Sequence, residues 1–90
     1  MNSVTQAAKA VRLLKLPAVC DLTGLRTVSI YGHAKAGLFP PPVKLGERTS
    51  VWPEHEVAAI NLARIAGKSD AEIRALVADL IAQRKQAQAA

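Results

Sequence analysis

A chain of 90 residues, half of them hydrophobic, is long enough for one domain and too apolar to be generically disordered. One cysteine, Cys20, excludes an internal disulfide and fits a reducing cytosol; no run of about 18 apolar residues and no apolar leader is present, so a cytoplasmic, membrane-free protein is expected. Residues 1–53 hold seven Lys/Arg against two acids, whereas residues 54–90 hold five of each, so the whole net charge of +5 lies in the first part, as a polyanion-facing module requires.

Residues 1–11 are small and polar with little periodicity and are expected to form a flexible arm carrying Lys9, with Arg12 just beyond it. Pro17 suits the first turn of a helix running to about Thr23, with Val19 and Leu22 on one face. Gly24 supplies the left-handed cap, Leu25 is a buried turn residue, and Cys20 packs toward the next helix. A second helix, residues 27–36, turns Ile30 and Ala34 inward with Tyr31 beside them, and Gly37 ends it. This helix–Gly–Leu–helix arrangement is that of a helix-turn-helix.

Leu38-Phe39-Pro40-Pro41-Pro42 is a stiff connector, because three prolines remove donors and fix φ. Val43-Lys44-Leu45 alternates as a half-buried strand, Gly46-Glu47-Arg48 turns, and Thr49–Trp52 returns: a small β-wing spanning residues 43–52. Pro53 opens a third helix with Glu54 and Glu56 at its positive end. Val57, Ile60 and Ala63 line its inner face, Leu62 and Ile65 widen it, and Gly67 closes it.

Ser69-Asp70-Ala71-Glu72 is a capping box. It opens a helix with Ile73, Leu76, Val77, Leu80 and Ile81 on one stripe, Arg84 and Lys85 in its last turn, and a fraying tail. The stripe either folds back over the third helix or pairs with another copy through residues 69–86; the need of a DNA reader for two half-sites favours the homodimer.

Leu14-Lys15-Leu16-Pro17-Ala18-Val19, Thr23-Gly24-Leu25, Ser29-Ile30-Tyr31, Gly37-Leu38-Phe39-Pro40, Val43-Lys44-Leu45-Gly46-Glu47-Arg48, Trp52 and Glu56-Val57 follow one another with normal spacing. In this ordered set the chain resembles the AlpA family of short phage and prophage regulators, relatives of the MerR-type winged helix-turn-helix and of phage excisionases. It departs from the family pattern at Arg26-Thr27, where cap and leading charge are swapped, and at Gly32-His33-Ala34. Gly32 costs about 1 kcal/mol of helix propensity relative to Ala.

The resemblance implies a mainly α fold with a small β-hairpin, a winged helix-turn-helix over residues 13–66 followed by a C-terminal amphipathic helix over 69–86. It implies a sequence-specific regulator of transcription, nucleoid-associated, whose partner is double-stranded DNA. The second helix would enter the major groove and the wing would lie on the minor groove or backbone. Arg26, Thr27 and Val28 come early enough to touch base edges: Arg26 on guanine or phosphate, Val28 on a thymine methyl or in the core. Lys35 flanks them, Tyr31 offers its hydroxyl to a phosphate while its ring supports the core, Arg48 approaches the minor groove, and Lys44 and Lys15 meet phosphates. An excisionase-like DNA-bending factor, or an adaptor or antitoxin acting through the C-terminal helix, are the alternatives.

Phe39 and Trp52 are read as wing-to-helix packing. His33 and His55 lack ligand spacing, and Glu54-His55-Glu56 reads as a charged helix start rather than an acid–base cluster. No nucleophile elbow, phosphate-cradling loop or paired cysteine motif is present, so no enzyme, metal or small-molecule cofactor is expected.

Overall fold

The computed structural model describes the backbone of residues 11–89 and the side chains of residues 11–86. The expected N-terminal arm lies outside them except for Val11. The elements are β1 (Leu13–Lys15), α1 (Leu16–Thr23), α2 (Thr27–Lys35), β2 (Val43–Lys44), β3 (Ser50–Pro53), α3 (Glu54–Ile65) and α4 (Asp70–Ala89). Four helices surround a small antiparallel sheet of strand order β1-β3-β2, an architecture compatible with a winged helix.

The helix pair forms for local reasons. Pro17 sits in the first turn of α1, where its missing N–H leaves no bond unmade. Gly24 ends α1 at φ 75°, and its N–H returns to the Cys20 carbonyl at 2.8 Å. Thr23 locks the turn, its Oγ1 donating to the Val19 carbonyl and accepting from the Leu25 N–H. Gly37 ends α2 at φ 81°, where the Leu38 N–H reaches back to the His33 carbonyl at 2.8 Å.

The sheet has one strand more than the hairpin expected. Leu13-Leu14-Lys15 pairs with β3, in the register Leu13 to Pro53, Leu14 to Trp52 and Lys15 to Val51. The Glu54 N–H bonds the Arg12 carbonyl and continues this ladder. On the other side of β3, Val43 pairs with Val51 and Lys44 with Ser50. The strand β2 stops at Lys44, so Leu45 falls in the turn and is exposed, not half-buried as alternation suggested.

The core gathers Leu14, Val19, Ile30, Phe39, Trp52, Val57, Ile60, Ile73, Val77 and Leu80. Trp52 is fully enclosed, and its indole N–H donates to the Pro40 carbonyl at 2.9 Å. That bond ties the proline connector to the middle strand.

Three apolar assignments are corrected. Leu22 is half-exposed, while Leu62 and Ile65 are 66 and 81 % exposed. At about 100° per residue, Leu62 and Ile65 lie roughly 200° and 140° round the helix from Ile60, on its far side. The buried face of α3 is completed by Glu56 instead.

The last helix folds back. Ile73, Val77 and Leu80 are buried in the chain's own core, with Leu76 and Ile81 packed at its edge. The stripe that argued for a homodimer or an adaptor surface through residues 69–86 is therefore covered within the chain. The helix continues to Ala89, so Arg84 and Lys85 are not in its last turn, and Gln86–Ala89 are helical rather than frayed. Arg84 has a tertiary partner in Glu56, which corrects the reading of Glu54-His55-Glu56 as only a charged start.

Candidate nucleic-acid interface

The helix α2 buries Ile30 completely, and Ala34 packs at the core edge. This leaves Thr27, Val28, Tyr31, Gly32 and Lys35 exposed. Val28 is 82 % exposed, so its alternative as a core residue is excluded. Arg26 stands at the N-cap with extended backbone and makes no side-chain cap bond. Thr27 does not cap either; its Oγ1 lies 3.9 Å from the Cys20 Sγ. Among the described residues no side chain accepts from the opening amides of α2, which lie beside the exposed Arg26.

Tyr31 is 43 % exposed and packs edge-on against Trp52, with ring centroids 5.9 Å apart. This contact joins α2 to the middle strand and holds the phenol at the edge of the helix's outer face. Phe39 and Trp52 are buried, as read from the sequence.

Lys44 and Arg48 are both exposed on the hairpin β2–β3. Lys44 Nζ donates to Ser50 Oγ across the strands at 2.9 Å, and the Leu45 N–H closes the turn on the Thr49 carbonyl. Lys15 is exposed but sits elsewhere: it pairs with Val51 from the side opposite Val43, on the far edge strand of the sheet. The eight expected residues thus divide into Arg26, Thr27, Val28, Tyr31 and Lys35 on one helix, Lys44 and Arg48 on the wing, and Lys15 apart.

Charge is allocated unevenly. Among the described residues, the ion pairs are Arg12–Glu54, Arg64–Asp70 and Arg84–Glu56. Arg26, Lys35, Lys44, Arg48 and Lys15 take part in none of them. The paired arginines flank or belong to the electrically balanced helical half, and the cations of the helix-turn-helix and wing remain available to an external anion.

Sequence reading missed Arg74. Its Nε donates to the Ala36 carbonyl at 3.0 Å, placing a cation at the negative end of α2. No local pattern announces this bond, because the partners are 38 residues apart. A half-open cavity of about 150 Å³ lies between Leu25, His33, Phe39 and Ile60. It is well below the roughly 300 Å³ at which ordinary ligand pockets begin. Among the described residues no group of three or more His, Cys, Asp or Glu is arranged to hold a metal ion, and no helix is long and apolar enough to cross a membrane.

The model of the family described as "Prophage CP4-57 regulatory protein (AlpA)" matches residues 12–59, from the start of the sheet through the helix-turn-helix and wing into α3. The chain belongs to the AlpA family. The family is described as one of regulatory proteins, and the match leaves α4 outside. The AlpA chain is also 42 % identical over 57 residues to "Uncharacterized protein ORF88" of Enterobacteria phage P4, covering 63 % of this chain and 65 % of that relative. It therefore spans just under two thirds of the relative's length. No solved structure matches this AlpA chain.

Proposed function

We propose that this phage-type regulator is a sequence-specific DNA-binding protein that controls transcription, acting in the cytoplasm on the nucleoid. The helix α2 lies in the major groove and the wing β2–β3 on the minor groove and backbone, in the manner of MerR-like winged helix-turn-helix proteins. The observation that carries this reading is the outer face of α2, where Val28, 82 % exposed, stands among polar groups and cations that take part in no ion pair among the described residues.

Each residue has a role in this geometry. Arg26 and the uncapped amides at the start of α2 receive a phosphate or a guanine edge. Thr27 and Val28 face the base edges. Tyr31, steadied by Trp52, offers its hydroxyl to the backbone. Lys35 and Lys44 neutralise phosphates, Arg48 reaches over the wing tip, and Lys15 meets a more distant phosphate.

Selection from a random duplex pool at two salt concentrations tests the proposal. The wild type enriches a defined motif and loses affinity steeply with salt. Arg26→Ala/Arg48→Ala abolishes the enrichment and flattens the salt dependence by about 0.9 in log–log slope per lost phosphate contact. No enrichment, with equal weak binding by wild type and variant, overturns the reading. An excisionase-like role uses the same module; strong bending and selected sites within attachment DNA rather than promoters would assign it.

A further inference from the structure

The exposed face of α2 has a feature that phosphate binding does not use. Val28 is an apolar side chain 82 % open to solvent, and Gly32 stands one helical turn further on. A Cβ built on Gly32 would meet no atom within 4 Å, so the glycine is not there to relieve crowding within the chain. Nor does it hold a left-handed backbone, since it lies inside α2 and is absent from the positive-φ glycines. It lowers helix propensity with no compensating contact among the described residues. Val28 and Gly32 are one helical turn apart on the exposed face of α2, so the missing side chain at position 32 leaves a recess open to solvent on the same face as an apolar residue; Tyr31 and Lys35 are the neighbouring exposed residues of that helix.

We propose that this recess is a specificity determinant that seats the C5-methyl group of a thymine. The inference rests on the DNA-binding reading above and deepens it. In the major groove the four bases are distinguished by donors, acceptors and one apolar group, the thymine methyl. An apolar wall is not rewarded by a phosphate, an amine or a carbonyl oxygen; it is rewarded by displacing water from a methyl. The missing Cβ at position 32 lets the base edge approach the helix backbone beside Val28.

The test is uracil scanning of the selected duplex, replacing one thymine at a time and so deleting only the methyl. One position is expected to lose about fourfold in affinity, the worth of one buried methyl. Val28→Ala, at an exposed position, should bind thymine and uracil duplexes equally at that position. Gly32→Ala should raise the Tm, because alanine suits a helix interior with open space around it, yet weaken binding by filling the recess. Uracil tolerated at every position, Val28→Ala retaining the thymine preference, or Gly32→Ala raising Tm without loss of binding would each overturn the recess while leaving DNA binding intact. Failure to bind any duplex would instead overturn the DNA-binding reading on which it rests.

Discussion

Arg84 holds both carboxylate oxygens of Glu56, Nε at 2.8 Å from Oε2 and Nη2 at 2.6 Å from Oε1. The same Nη2 donates to the Pro41 carbonyl at 2.8 Å. One guanidinium therefore joins α4, the first turn of α3 and the proline connector that leads to the wing. Residues outside the family-matched segment brace the residues inside it.

The Glu56 side chain is 1 % exposed, so losing its partner strands a charge in the core. Arg84→Met is expected to cost about 3 kcal/mol in urea unfolding. Glu56→Met/Arg84→Met should recover a large part of that loss, because an apolar pair leaves no charge to desolvate. Fluorescence of the single, buried Trp52 follows both transitions.

The capping box of α4 predicts a pH dependence. The Ser69 N–H donates to Glu72 Oε1 at 2.8 Å and the Glu72 N–H to Ser69 Oγ at 3.2 Å. The Ser69 backbone bond, helped by the Ser69 hydroxyl and by Lys68, lowers the Glu72 pKa from its ordinary value of 4.5. A depressed carboxylate stabilises the fold above its unfolded value, and that stabilisation disappears as pH falls through the folded value. Glu72→Ala should therefore be less stable than wild type at pH 7, with the gap closing as pH falls below the ordinary value of 4.5 and through the lowered folded value, where the wild-type carboxylate takes its proton. Ser69→Ala should cost about 1 kcal/mol at neutral pH.

Two cations should behave oppositely in DNA binding. Lys35 is exposed and outside the ion pairs, and Lys35→Ala is expected to reduce the log–log salt slope by about 0.9. Arg64 is paired with Asp70 at 3.5 Å across exposed surface. Arg64→Ala should leave the salt slope unchanged and shift stability by less than about 1 kcal/mol. Titrations at three or more salt concentrations separate the two.

Trp52 links wing and helix pair through the Pro40 carbonyl and the Tyr31 ring. Trp52→Phe removes the donor and leaves a buried carbonyl unpaired, an expected loss of about 2 kcal/mol read by circular dichroism.

What could be read from the residues alone was what depends on near neighbours. Gly24 caps α1, Ser69 and Glu72 cap each other, the prolines interrupt regular structure over 40–42, and Ile30 marks the inner side of α2. The outward placement of Lys35 follows from the same helical period, whereas Val28, open between base edge and core in the sequence, is assigned to the outer face by its exposure in the fold. These features are set by dihedral preference and by bonds spanning a few residues, so the helix-turn-helix and wing were legible with their boundaries nearly in place.

Tertiary structure alone decided which surfaces meet. Leu13-Leu14-Lys15 becomes a strand because β3, far along the chain, offers it unpaired backbone groups. Leu62 and Ile65 look as apolar as Ile60, yet face away because only one side of α3 lies against the core. Glu56 and Arg84 are 28 residues apart, and neither carries a local mark of the other. The stripe of α4 required burial, which its period states, but the period does not state by what; the chain's own core covers it. Burial is a relation between two surfaces, and a periodic pattern describes only one of them.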